Sequence, residues 1–234
     1  MTKPQFINLF PLTLYKARIE LSESQKKEMI SEILKMKNST ESQSEVKNSG
    51  RAWAGFTNIE HNLLENDKFK FFFNEVSIHL KNYLTHYQIN LDDIDCYFHR
   101  AWPTISDGKE SIQPHFHAQS HLSFAFYLVK SPEDSNIQFT DNTRHNEFIP
   151  ASFISKSVGK DSLFKERNVN NVGMVDINSI EGDIIIFPSK TTHSTQANKI
   201  NKQRISISAD ITFVSKKSEH LEHLMPPINK WKKF

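Results

Sequence analysis

The chain has little of what several large protein classes require. It holds a single cysteine, Cys96, so no intrachain disulfide can form, which fits a reducing compartment. Only six glycines occur, with neither a G-x-G nor a complete G-x-x-x-x-G-K-[ST] phosphate cradle among them. That removes most nucleotide-binding α/β folds from consideration. An excess of either charge is also missing: 29 Lys and Arg stand against 27 Asp and Glu, for a formal net charge of +2. This balance disfavours a long nucleic-acid track and does not call for an anionic membrane. No stretch approaches the roughly 18 apolar residues of a membrane helix. Residues Met1 to Phe10 carry one lysine and no apolar run of signal-peptide length. The expected location is the cytoplasm.

What is present is length and phenylalanine. At 234 residues with 18 Phe, one β-rich domain can bury a substantial core without staples. The chain reads as a single domain over 1–234. A barrel core is expected at about 94–214, helical support at about 1–93 and a polar, basic tail at 215–234.

Residues Ile7 to Ile19 read as extended. Ser22 and Gln25 make a capping-box pattern, and Met29, Ile30, Ile33, Leu34 and Met36 follow at helical spacing. Residues 38–50 are polar and aperiodic, as in a loop. Arg51 to Ile59 reads as a short strand. A second helix is expected from Asn66 or Asp67, with Phe69, Phe72, Phe73, Val76, Leu80, Tyr83 and Leu84 as a core stripe that braces a sheet. From Ile94 onward short apolar segments alternate with turn-like clusters. Expected strands are Tyr97–Thr104, Gln113–His117, Leu122–Val129, Ile137–Phe139, Asp183–Phe187, His193–Gln196 and Arg204–Phe213. Residues 141–175 read as a long loop, a candidate lid.

Three of the eleven histidines sit in suggestive places. His115 and His117 flank Phe116, and alternate residues of a strand share a face. Both imidazoles would then point one way, with Phe116 toward the opposite layer. Neutral imidazole suits iron, zinc and copper. Farther on, Glu181 to Pro188 read as a tight turn into an apolar strand, and His193 opens the next one. Then comes Arg204-Ile205-Ser206-Ile207-Ser208-Ala209-Asp210, a strict alternation. Arg204, Ser206, Ser208 and Asp210 share one face. A half-buried arginine needs an anion, and its planar guanidinium fits a carboxylate. The alternative is a structural Arg–Asp pair inside the sheet. His61, His79, His86 and His145 read as surface or helix-face residues, whereas His99 and His121 could approach the site. Cys96 reads as a buried small hydrophobe.

In this order the pieces resemble the 2-oxoglutarate/Fe(II) oxygenase superfamily, and most the subgroup found in bacteria and their phages. Ile7 to Leu12 is similar to that subgroup's N-terminal strand. Ala101-Trp102 is similar to the lead-in, and Ser123 to Tyr127 is similar to the strand after the H-x-H. The resemblance covers about residues 5–213. It implies a mostly β fold with supporting helices: a double-stranded β-helix, or jelly-roll, barrel braced by two N-terminal helices. It also implies Fe(II) on His115, His117 and His193, and 2-oxoglutarate held at its far carboxylate by Arg204 and Ser206. Gln113 is a further cosubstrate contact on the face of His115. The wider superfamily has H-x-D where His117 stands, so a nearby carboxylate such as Asp141 is an alternative third ligand. The implied activity is O2-dependent oxidation, most simply hydroxylation, of a small-molecule or peptide substrate, with release of succinate and CO2. The competing readings are a three-His cupin-type dioxygenase without 2-oxoglutarate, which Arg204-Ile205-Ser206 argues against, and a jelly-roll binding module.

Overall fold

The computed structural model describes residues 3–41, 50–154, 163–197, 200–217 and 223–234. Among the described residues ten strands form two antiparallel sheets that face each other without closing into a barrel. The strands are β1 (Tyr15–Arg18), β2 (Trp53–Ala54), β3 (Ile94–Ser106), β4 (Ile112–His115), β5 (Leu122–Val129), β6 (Ile137–Thr140), β7 (Met174–Ile177), β8 (Asp183–Pro188), β9 (His193–Thr195) and β10 (Arg204–Ser215). The larger sheet runs β1-β8-β5-β10-β3-β2 and the smaller one β4-β9-β6-β7. This is the expected jelly-roll arrangement, with helices α1 (Glu23–Glu41) and α2 (Lys70–His86) supporting the larger sheet.

Period-two alternation sorts the side chains of the large sheet. Phe124, Phe126, Ile184, Ile186, Ile205, Ile207, Ala209 and Ile211 join one apolar cluster with the helices. Phe72 of α2 is fully buried there, with ring centroids 4.7 Å from Phe126 and 6.1 Å from Phe124. The opposite parity, Tyr127, Ile185 and Phe187, packs with Ile137 and Phe139 of the small sheet. The helices therefore hold the large sheet from behind, and its front is free to build a site.

The capping box is present: the Ser22 amide donates to Gln25 Oε1 at 2.9 Å and the Gln25 amide to Ser22 Oγ at 3.2 Å. Helix α1 then continues to Glu41, past the expected loop start at 38, and 42–49 lie outside the described residues.

Elsewhere the structure corrects the sequence reading. The N-terminal strand is only Tyr15–Arg18, and Phe6, Ile7, Leu9 and Phe10 ahead of it are exposed. The strand expected over 51–59 ends at Ala54 and gives way to 3-10 turns at Gly55–Thr57, Ile59–His61, Leu63–Glu65 and Asp67–Phe69. Three asparagines drive the later turns: Asn58, Asn62 and Asn66 each accept, through the side chain, the amide two residues on, as in Asx turns. His61 is buried against Trp53 rather than on the surface, and Cys96 is exposed rather than buried.

The segment 141–175 is not plain loop. Its end begins strand β7, which pairs with β6. The preceding part folds on itself: the Asp141 amide donates to the Gly173 carbonyl at 2.9 Å, and Arg167 Nη1 donates to the Asn171 carbonyl at 2.9 Å. Residues 155–162 lie outside the described residues. Among the described residues no helix is long and apolar enough to cross a membrane.

Candidate metal centre

Two adjacent strands of the small sheet bring the histidines together. β4 and β9 pair antiparallel with His115 opposite His193, and cross-strand neighbours lie within side-chain reach. Pro114 lacks an amide donor, which fits β4's place at the edge of its sheet beside a register shift between Ile112 and His115.

His117 arrives differently from the expectation. Strand β4 stops at His115, so His117 is not the next same-face residue of a continuous strand. The chain leaves the sheet, Phe116 turns outward at 57% exposed instead of packing into the opposite layer, and the His117 amide donates to the Ser189 carbonyl at 2.9 Å. The outcome is nonetheless convergence. One ligand atom from each of His115, His117 and His193 lies within 4.8 Å of the others, the one such group of His, Cys, Asp and Glu among the described residues.

Second partners fix the tautomers. His115 Nδ1 lies 2.8 Å from the Gln113 carbonyl, and His193 Nδ1 lies 2.9 Å from the Thr191 carbonyl. A carbonyl can only accept, so each Nδ1 carries the proton and each Nε2 keeps its lone pair. His117 Nδ1 lies 2.5 Å from Asp210 Oδ1 and 3.0 Å from Ser123 Oγ. Such outer hydrogen bonds are what orient histidine ligands in metal sites. Burial pushes the His193 pKa down to about 3, with repulsion from His115 adding to it and the Thr191 hydrogen bond opposing. Burial likewise lowers His115. Both side chains are therefore neutral imidazoles at neutral pH, the form that can bind a metal.

The centre opens into a cavity of about 760 Å³ between the sheets. Arg204, Ser206 and Ser208 line it, as the alternation of β10 predicts, together with Tyr127, Thr195 and Gln113. Arg204 is 3% exposed and gives Nη1 to Asp134 Oδ2 at 3.1 Å. The structural Arg–Asp pair therefore exists, with Asp134 as the partner. It does not use up the guanidinium: Nη2 of Arg204 is buried with no hydrogen-bond partner among the described residues, and so is Thr195 Oγ1. An unsatisfied buried donor is costly, so both atoms are available to a polar ligand. Gln113 lines the cavity too, but its amide nitrogen donates to Ser111 Oγ at 3.1 Å, and its clearest service is the carbonyl that holds His115.

Several expectations fall away. Asp141 is not part of the cluster; its carboxylate accepts from the Thr143 amide and hydroxyl, closing a local turn. His121 is also outside it, exposed and hydrogen-bonded through Nδ1 to the Phe213 amide. His99 occupies the irregularity where β3 loses register with β10, and it is exposed. None of the described residues of 141–175 lines the cavity. Phe56, Trp102, Phe116 and Arg100 line it instead, with Phe56 and Phe116 exposed and Trp102 buried. Sequence reasoning missed Asp134 and Thr195, which reach the site from a turn and a short strand with no distinguishing pattern. Trp102 was visible only as part of the lead-in.

Residues 100–210 match a family model described as "Putative 2OG-Fe(II) oxygenase", and all three histidines, Arg204, Ser206 and Asp210 fall within that span. No curated protein matches the sequence significantly. Among solved structures, the non-heme alpha ketoglutarate dependent epimerase SnoN from nogalamycin biosynthesis superposes with a TM-score of 0.52 at 16% identity, covering 86% of this chain and 78% of its own. A Pseudomonas putida prolyl-4-hydroxylase gives a TM-score of 0.50 at 12% identity, covering 86% and 93%. HygX from Streptomyces hygroscopicus, solved with nickel and 2-oxoglutarate bound, gives 0.50 at 9% identity, covering 86% and 83%. At such identities the likeness shows the fold alone. Over residues 100–210, just under half of its length, the chain is similar to the 2OG-Fe(II) oxygenase family.

Proposed function

We propose that this chain is a 2-oxoglutarate- and O2-dependent Fe(II) oxygenase that hydroxylates a small-molecule or peptide substrate and releases succinate and CO2. One observation carries the reading. Three imidazoles whose Nδ1 atoms are all turned to acceptors share one cavity with a buried guanidinium nitrogen that has no partner. The first set fits a divalent metal with a preference for nitrogen ligands. The second fits one end of a diacid.

His115, His117 and His193 would hold Fe(II). When bound, iron with 2-oxoglutarate and O2 supplies the oxidising power for the C–H bond. The protein's own part is positioning and exclusion of water. Arg204 would offer Nη2 to the distal carboxylate, with Ser206 Oγ and Thr195 Oγ1, which line the same cavity, as hydroxyl helpers. Asp134 keeps the guanidinium from rotating away. Gln113, through its main-chain carbonyl, keeps the His115 ring in place. Phe187 and Ile137 supply apolar wall that keeps water scarce and strengthens these polar contacts. Trp102 and Phe56, edge-to-face with centroids 5.9 Å apart, frame the entrance for substrate.

A three-His dioxygenase without 2-oxoglutarate would use the same metal ligands but would leave Arg204 Nη2 without a function. Succinate production decides between them. Purified protein with Fe(II), ascorbate, O2 and 2-oxoglutarate should form succinate, at least slowly in an uncoupled turnover. Protein that takes up iron but forms no succinate with any candidate substrate would favour the rival.

A further inference from the structure

Three imidazoles bring no negative charge to a divalent cation. The fold places one nearby. Asp210 is 1% exposed, and its two oxygens have separate partners. Oδ1 receives His117 Nδ1 and the Ser120 and Ser123 hydroxyls, the last two at 3.2 Å. Oδ2 receives Arg100 through Nε at 3.0 Å and through Nη2. We propose that Asp210 is a positioning residue of the metal centre, which orients His117 and supplies, one hydrogen bond away, the negative charge that its ligand set lacks.

The contrast with the other two histidines carries the argument. His115 and His193 have their tautomers set by neutral backbone carbonyls. A carbonyl would have sufficed for His117 as well, so orientation alone does not explain a buried carboxylate, which is expensive to bury. What a carboxylate adds is charge, and charge acts strongly where water is excluded. The Asp210 oxygens accept from His117, Ser120, Ser123 and the Arg100 guanidinium, donors that favour the ionised carboxylate. The ion pair is also polarised in space. Its cation, Arg100, is 48% exposed in its side chain and partly screened by water, while its anion faces His117 from the interior. Arg100 further lies 4.8 Å over the Trp102 ring, which anchors it at the rim.

The inference rests on the metal reading above, and the test separates the two. Co(II) is titrated anaerobically into the metal-free full chain and followed by calorimetry and by its visible spectrum. Asp210→Asn keeps the shape and an acceptor for His117 but removes the charge, and Co(II) affinity should fall roughly 10- to 100-fold. Arg100→Gln removes the opposing cation, and affinity should rise about threefold. A purely structural role would weaken both variants, so movement in opposite directions is the signature. Unchanged affinity in Asp210→Asn overturns the inference while the metal reading stands. Should that variant not fold, an unchanged or weaker affinity in Arg100→Gln overturns it instead. Failure of the unaltered protein to bind Co(II) overturns both.

Discussion

Arg204 divides its guanidinium between two duties: Nη1 pairs with Asp134 at 3.1 Å, while Nη2 is buried in the same cavity region with no partner among the described residues. A lysine offers one compact ammonium in place of this planar fork. Arg204→Lys should keep the pairing with Asp134 and lose the second contact. The KM for 2-oxoglutarate should rise about tenfold or more, since a hydrogen bond to a charged group contributes roughly 1.5–3 kcal/mol, while Co(II) affinity stays unchanged. Initial rates of succinate formation against 2-oxoglutarate concentration check this. Arg204→Ala should instead destabilise the fold by about 3–5 kcal/mol, because Asp134 is left as an unpaired buried charge.

Replacing His117 with the aspartate usual in the wider superfamily should not improve the site. Asp210 would lose the N–H it accepts from and face a second carboxylate instead. Metal affinity should drop at least tenfold in His117→Asp and recover in the double variant with Asp210→Asn, since the like charges then no longer meet. Equilibrium dialysis with Mn(II) distinguishes this from simple additivity.

The metal-free protein should lose stability in acid through His193. Its folded-state pKa is depressed to about 3 from an ordinary 6.5. Between those values the unfolded chain binds the extra proton and the folded chain does not, so stability rises with pH across that window. The contribution is complete above about 6.5 and fades as pH falls toward 3. Urea midpoints of metal-free protein at several pH values should show this slope, and His193→Ala should flatten it.

The support behind the large sheet should be as demanding as any core. Phe72 is fully buried among Phe73, Phe124 and Phe126. Phe72→Ala should cost about 3–5 kcal/mol by denaturant unfolding, with little change in metal affinity measured under conditions where the variant is folded.

Much of this was legible where one local rule governs. The alternation of β10 correctly divided Ile205, Ile207, Ala209 and Ile211 from Arg204, Ser206 and Ser208, because a strand buried on both faces still obeys its pleat. The Ser22 and Gln25 cap was equally local. The histidine grouping was found for a partly mistaken reason: His117 reaches the centre from a turn anchored on Ser189, not by strand parity. The asparagine spacing at 58, 62 and 66 was a readable signal for successive turns that the strand-like composition of 51–59 obscured. Asp134 and Thr195 were illegible because long-range pairing, unlike periodicity, leaves no mark on the residues near them in sequence.

The most direct measurement is the absorption spectrum of the anaerobic protein as Fe(II) and then 2-oxoglutarate are added. A chelated keto acid on iron should give a visible band that requires both additions, is absent in His193→Ala, and needs more 2-oxoglutarate to saturate in Arg204→Lys. A protein that binds iron yet shows no band on adding 2-oxoglutarate, or shows the same band without His193, would contradict the account.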